Sequence, residues 1–526
     1  MRYIEYAGRL RCQFYVLFFL FPVCLTAQAP VLQTTNYFTQ QSVLYNSDTF
    51  QHTAWKPVLY IDSTYQKSNR SWLYRKFFEE HLLQIQQPGF NIFGDVIFDE
   101  LFGTTKRDIP TGNATDKSNK TYINTRGYDF SGNIGDKFYF QTDLFENQAA
   151  FPGYVDSFVR ASRVIPMQSR YKKFEDNEFD FSYSSAKLIY TPNKHLLFNL
   201  GYGTNSIGEG YRSLLLSDYN TNYPYFRTAI TFGKFQYSVM YSQYIADNDV
   251  SIYAAGFPRK WGQTYLIDWR ATKKLNIGIF NSVVSSMENE NRDKELGFTH
   301  FSPIIFLHSS ESPSGVKSNN IYGLNVKYTI IPTVDAYAQF MLDNTGSTAW
   351  ENRYGWQIGV RAGNLFKVNG LNAQVEFNTV RPYSYAADTI TTVYAHNNQS
   401  LTHPLGANFK EGIFIADYYY KRWYFRLQGM TARYGNDSSA TVNFGRNINK
   451  PLYTHSTEDN VSTGQGVNTK LYYGDIKLAY ILNRKTNLRL ETGAVFRNEK
   501  NNLVEYSDIH FYLGVRFTFR KLIYDF

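Results

Sequence analysis

Hydrophobic and polar residues alternate one by one along most of this chain. In LNAQVEFNT, Leu371, Ala373, Val375 and Phe377 share one face of an extended strand, and Asn372, Gln374, Glu376 and Asn378 share the other. NLRLETGAVFR likewise separates Leu488, Leu490, Ala494 and Phe496 from Arg489, Glu491 and Arg497. Near the end, Phe511, Leu513, Val515, Phe517 and Phe519 oppose His510, Tyr512, Gly514, Arg516, Thr518 and Arg520. About eighteen such segments are marked by this pattern. They are 91–98, 121–134, 137–147, 178–190, 195–203, 224–233, 235–246, 263–271, 275–285, 321–330, 333–342, 354–363, 371–381, 411–420, 422–434, 469–481, 487–498 and 507–519. Strands in globular proteins average about 5–6 residues, whereas a tilted strand needs roughly 9–11 to cross a bilayer.

The connections sort into two kinds that alternate. Tight turns such as Gly135-Asp136, Gly233-Lys234 and Lys421 follow one set of strands, and long segments such as 148–177, 204–223, 286–320, 382–410 and 435–468 follow the other. A barrel inserted from the periplasm has short periplasmic turns and long outer loops. In a bilayer every backbone polar group needs a partner, which forces closure. The pattern therefore predicts an all-β chain, a transmembrane antiparallel β-barrel of about eighteen strands over 91–526. Its apolar strand faces would meet lipid, its polar faces with Arg516 and Arg520 would line the lumen, and both termini would be periplasmic. The aromatic Phe526 resembles the C-terminal signal that barrel-assembly machinery reads, but it is out of register with Phe519.

The N-terminal part reads differently. MRYIEYAGRLRCQFYVLFFLFPVCLTAQAP has a basic start, a short apolar run and small residues, as in a secretory signal over 1–27, cut after Ala27. Residues 28–90 form an N-terminal periplasmic segment, in which SWLYRKFFEEHLLQIQQPG predicts a helix over 71–87. Ser71 would cap it, Pro88-Gly89 would end it, and Trp72, Phe78, Leu82 and Ile85 would form the packed stripe.

Composition agrees with a barrel. The chain holds 44 Tyr and 42 Phe, yet its mean hydropathy is −0.41, because only alternate residues would face lipid. Both cysteines, Cys12 and Cys24, fall in the signal, which leaves the mature chain without disulfides or thiol chemistry. The net charge of +9 is dispersed and does not point to nucleic acid. No motif for a catalytic nucleophile, a phosphate loop or a metal site is present, so neither an enzyme nor a cofactor is expected.

One stretch stands out, GYGTNSIGEGYRSLLLSDYNTNYPYFR over 201–227. Leu214-Leu215-Leu216 is too apolar to hang in water, so the loop is expected to tuck into the pore mouth. Glu209, Tyr211, Arg212 and Asp218 are the candidate ligand-binding residues, with the Arg212 guanidinium able to bond carboxylates or hydroxyls. The stretch resembles the signature of the Wzi-like capsule-assembly outer-membrane family, most closely its Bacteroidetes gliding-motility, RemB-like branch. The residues that carry the resemblance are Gly203, Asn205, Ile207-Gly208, 210–218 and Asn222-Tyr223-Pro224. A second block consists of 124–127, 146–148 and Phe151-Pro152. The resemblance implies an 18-stranded barrel with a helical N-terminal part that binds capsular polysaccharide at the outer surface, although this chain departs from the enterobacterial pattern in its loops.

The expected function is thus to hold or organise surface polysaccharide at the outer membrane, without catalysis. The alternatives are a motility or surface-assembly component working through protein partners, and a diffusion porin. Loop aromatics Trp261, Trp350, Tyr383, Tyr385 and Tyr394 are candidates to stack on sugars, although an aromatic girdle explains many such residues equally well.

Overall fold

The computed structural model describes residues 29–33, 52–62, 69–108, 119–173, 178–246, 257–287, 298–307, 317–439, 441–456, 461–517, 520 and 522–526. The expected signal peptide, 1–27, lies outside these residues. Eighteen strands close into one antiparallel barrel. In chain order they are β1 (Phe90–Asp108), β2 (Lys120–Ile134), β3 (Phe138–Ala150), β4 (Phe179–Asn193), β5 (Leu196–Gly203), β6 (Tyr223–Phe232), β7 (Phe235–Ile245), β8 (Arg259–Arg270) and β9 (Leu275–Ser286). There follow β10 (Ser318–Ile331), β11 (Val334–Asn344), β12 (Arg353–Ala362), β13 (Leu371–Val380), β14 (Phe409–Tyr420), β15 (Trp423–Asn436), β16 (Val467–Asn483), β17 (Leu488–Lys500) and β18 (Glu505–Arg516). Each strand pairs with its neighbour in sequence, and β18 closes on β1 through pairs such as Phe511 with Thr104.

Every alternating segment of the sequence is found as a strand, and turns and loops alternate in the expected order. The pleat sorts the side chains as the pattern requires. On β13, Val375 and Phe377 are exposed while Asn372, Gln374, Glu376 and Asn378 are buried in the lumen. Val96, Phe226, Ile279, Ile358, Phe414, Leu427, Ile476, Phe511 and Leu513 continue the outer apolar belt around the wall. This is the fold of an outer-membrane barrel, with the grease outside and the polar groups inside. No helix among the described residues is long and apolar enough to cross a membrane.

Two expectations need correction. The helix α1 covers only Trp72–Phe78, and Leu83–Gln87 is a strand that pairs with residues 90–94 of β1. LQIQQ alternates with period two, and Gly89 turns the chain with φ +93, so a hairpin on β1 satisfies this backbone as a longer helix would have. The expected stripe is not packed, since Trp72, Leu82 and Ile85 are exposed. Asn483 fastens α1 to the short-turn end of β16 through bonds to the carbonyls of Lys76 (3.3 Å) and Glu80 (2.9 Å).

The second correction follows from the first. β18 pairs with residues 100–108 of β1, and the added hairpin strand occupies the place beside residues 90–94. β18 therefore ends at Arg516, short of the expected end at 519, and Ile523 and Asp525 lie buried in the lumen. Phe526 is buried in the lumen and does not end a lipid-facing strand. A further helix, α2 (Gly153–Ser162), packs Val155 and Val159 against Phe179 and Phe181 beyond the long-loop end of β3.

Candidate functional site

The lumen is filled from within the chain. Residues 204–222 leave β5, fold into the barrel and return to β6, with Asn205, Ile207, Leu214, Leu215, Leu216 and Asn220 fully buried. Glycine makes the close approach possible. At Gly208, φ is +131 and a Cβ would collide with the Gln339 amide, while a Cβ on the wall residue Gly323 would strike Leu215. The leucines sit among Met240, Leu266, Phe280, Val284, Ile321 and Met341, which point inward from the upper wall. Trp55-Lys56 from the N-terminal segment pairs with Ser206-Ile207, so this short piece also lies inside the barrel.

Loop 381–408 packs onto the insert from the long-loop end. The hydroxyls of Tyr385 and Tyr394 donate to the carbonyls of Leu214 (2.8 Å) and Leu215 (2.9 Å). His396 accepts the Ile245 N–H at Nδ1 (3.0 Å) and reaches the Asn222 carbonyl from Nε2 (3.2 Å). That assignment makes it a neutral imidazole with the proton on Nε2.

Glu209, Arg212 and Asp218 are buried and Tyr211 is half-buried, and the four fall in two clusters. Glu209 accepts from Thr53 Oγ1 (2.8 Å) and Arg361 Nη2 (3.0 Å), with Lys56 and Lys327 each 3.7 Å away. Burial alone would raise its pKa, but Lys327, Lys56 and the Thr53 hydroxyl hold it below the usual carboxylate range. Asp218 lies within electrostatic reach of Lys56. In the second cluster, Glu376 accepts the backbone N–H groups of Tyr211 (2.7 Å) and Arg212 (3.1 Å). Arg212 Nη2 pairs with Glu411 (3.3 Å) and with Asp525 (3.0 Å), and Tyr211 donates to Asp525 (2.8 Å). The guanidinium is committed to the protein's own carboxylates and is about 1% exposed at its side chain.

Sequence reasoning missed the partners. Glu376, Glu411 and Arg361 are lumen-facing residues on β13, β14 and β12, and alternation alone assigns them inward. Apolar residues on the inner face, such as Val284 beside Val283, break the polar-in rule and mark where the insert docks. The stretch 522–526 had no such signal. Together with Arg520 it joins the two blocks that carry the resemblance. Arg520 donates to Asn147 (3.2 Å), the Tyr524 ring meets Phe151 (5.9 Å), Asp525 meets Tyr211 and Arg212, and the Phe526 ring meets Tyr219 (6.2 Å).

Of the five loop aromatics, Tyr383, Tyr385 and Tyr394 are buried, and Trp261 lies on β8 with its N–H on the His300 carbonyl (2.7 Å). Trp350 stays at the rim, stacked on His455 at 4.2 Å and held beneath by Tyr383. A Thr348–Glu351 capping box and Arg381, bonded to the Asn352 carbonyl (2.7 Å), fix its turn. Tyr453 is 73% exposed two residues before His455.

No protein family and no curated protein matches this sequence. Among solved structures, the chain is similar to Wzi, an outer membrane protein involved in group 1 capsule assembly in Escherichia coli and described as a carbohydrate-binding β-barrel. The identity is 13%, with 79% of this chain and 83% of that one covered and a TM-score of 0.46. It is also similar to the outer membrane protein OprD from Pseudomonas aeruginosa, at 10% identity, covering 80% and 92%, with a TM-score of 0.39. OccAB2 of Acinetobacter baumannii aligns at 10% identity over 80% and 98%, with a TM-score of 0.39.

Proposed function

We propose that this barrel holds or organises surface polysaccharide at the long-loop rim, without making or breaking bonds, and that it belongs to the RemB-like branch of the Wzi-like family. The observation that carries the reading is the filled lumen. Leu214, Leu215 and Leu216 have no accessible surface, and loop 381–408 is packed over them. A wall stoppered in this way is poorly suited to free diffusion, and what it offers outward is a stiff rim. There Trp350, His455 and Tyr453 present rings beside the polar groups of Glu351 and Asn352. Aromatic faces pack on sugar faces while polar tips bond hydroxyls.

In this reading Glu209, Tyr211, Arg212 and Asp218 act as anchors. They fix the insert, and the insert supports loop 381–408, whose Tyr383 backs Trp350. They contribute to ligand binding through position and do not touch the glycan. The partners are outer-membrane lipid and surface glycan, with barrel-assembly machinery needed during insertion.

The test is co-sedimentation of the purified barrel, reconstituted in vesicles, with surface polysaccharide from its host. Trp350→Ala should weaken binding up to roughly tenfold, since one ring contact contributes about 0.5–1.5 kcal/mol. If the native protein binds no polysaccharide and instead captures a motility or surface protein, the protein-partner alternative replaces this one.

A further inference from the structure

Beneath the insert the lumen keeps a cavity of about 210 Å3. Arg426, Lys477, Arg489 and Arg516 line it from four neighbouring strands, β15 to β18. The register sets Arg426 opposite Lys477 and Arg489 opposite Arg516. Glu491 is shared among Arg489 (2.6 Å), Arg516 (3.3 Å) and Lys477 (3.6 Å), so three cations surround one carboxylate. At one end the cavity meets Asn487 in the short turn before β17. At the other it reaches Phe151 and Pro152, at the long-loop end of β3. It therefore runs along much of the height of the barrel.

Residues 522–526 stand in its way. Leu522, Tyr524 and Asp525 line the cavity. The Phe526 ring lies 4.3 Å from that of Phe158 and 6.3 Å from that of Tyr154, both on α2, so the helix rests on it. Asp525 ties Tyr211 and Arg212 of the insert and also accepts from Gln428 on β15. This segment takes no part in the sheet. Its side chains and the Arg497 bond to the Phe526 carbonyl (3.1 Å) hold it in place.

We propose a second function: the barrel is a gated passage for small anions, and residues 522–526 are its gate. When they withdraw, α2 loses the ring beneath it, the insert loses Asp525, and the cavity opens toward the long-loop end beside Phe151. In the lining, Arg426, Lys477, Arg489, Arg516 and Arg520 outnumber Asp475, Glu491 and Asp525, and this excess sets the sign of the solute, because a lumen with excess positive charge concentrates anions.

Planar-bilayer recording in a potassium chloride gradient tests the proposal, with chloride as the probe. The full chain should stay closed. A chain ending at residue 521 should show stepwise openings with a reversal potential on the chloride side, and Lys477→Gln in that background should reduce the chloride preference. Asp525→Asn, which keeps the shape and removes the charge, should give brief openings. The proposal is overturned if the shortened chain keeps heat-modifiable migration on gels yet stays closed, or if it opens with a preference for potassium. Should the shortened chain fail to insert, Asp525→Asn decides, and a record as quiet as that of the native protein rejects the gate. Polysaccharide co-sedimentation of the full chain carrying Lys477→Gln, a wall residue outside the anchors of the insert, is expected to be unchanged, which separates failure of the anion passage from failure of the glycan reading.

Discussion

Arg212 shows how a residue that reads as a ligand contact becomes an internal tie. Two acids, an arginine and a tyrosine within ten residues were legible as a site, but the carboxylates that claim them, Glu376, Glu411 and Asp525, are 164 to 314 residues away in sequence. Pattern assigns Glu376 and Glu411 to the lumen, gives no signal for Asp525, and cannot say which insert residue each of them meets. Removing one member of a buried ion pair leaves the other charge uncompensated and costs about 3–5 kcal/mol. Arg212→Ala is therefore expected to loosen the insert by that order. Amide exchange over 204–222 checks this, and protection equal to the native level would contradict it. His396 adds a pH dependence. Burial, with the cations Lys260 and Arg170 nearby, pulls its pKa from 6.5 down to about 3. A depressed folded value means that its contribution is complete above pH 6.5 and is lost as pH falls from 6.5 toward 3. Protonation would also cost the Ile245 N–H its acceptor. Protease cleavage within 381–408 should rise across that window, and His396→Gln should flatten the rise.

At the scale of elements, strands were legible because lipid outside and polar groups inside impose period two on every crossing. The helix over 71–87 was misread where the period changed. Trp72–Phe78 is helical, but LQIQQ already alternates, and the edge of β1 was free to take it. The insert was half legible. The triplet Leu214 to Leu216 cannot remain in water, so folding inward followed, but its seat is made by Phe280, Ile321, Met341 and the bare backbone of Gly323 on three strands. Leu215→Ala should destabilise the insert by about 2–5 kcal/mol, the range for a buried leucine. Gly208→Ala should act the same way, through a φ of +131 and the Gln339 side chain. Both variants should still migrate as folded barrels, because neither residue contributes to the wall. Urea unfolding followed by fluorescence of Trp55, which lies against the insert, reads the loss, and coincident unfolding of native and variant chains would count against this packing.

For the whole molecule, the number of strands and the two-sided sorting of loops could be derived from the sequence, because closure in a bilayer leaves few other solutions. The state of the lumen could not, because an empty and a filled barrel share the same wall pattern. Residues 52–57, 204–222, 381–408 and 522–526 come from four parts of the chain to fill it, and none of them alternates. The central claim is that this filling turns a barrel wide enough for a pore into a closed support for a binding rim. The most direct measurement is the single-channel conductance of the unaltered protein in a planar bilayer. The account predicts a flat baseline at neutral pH after confirmed insertion, whereas a steady open channel from the native chain would contradict it.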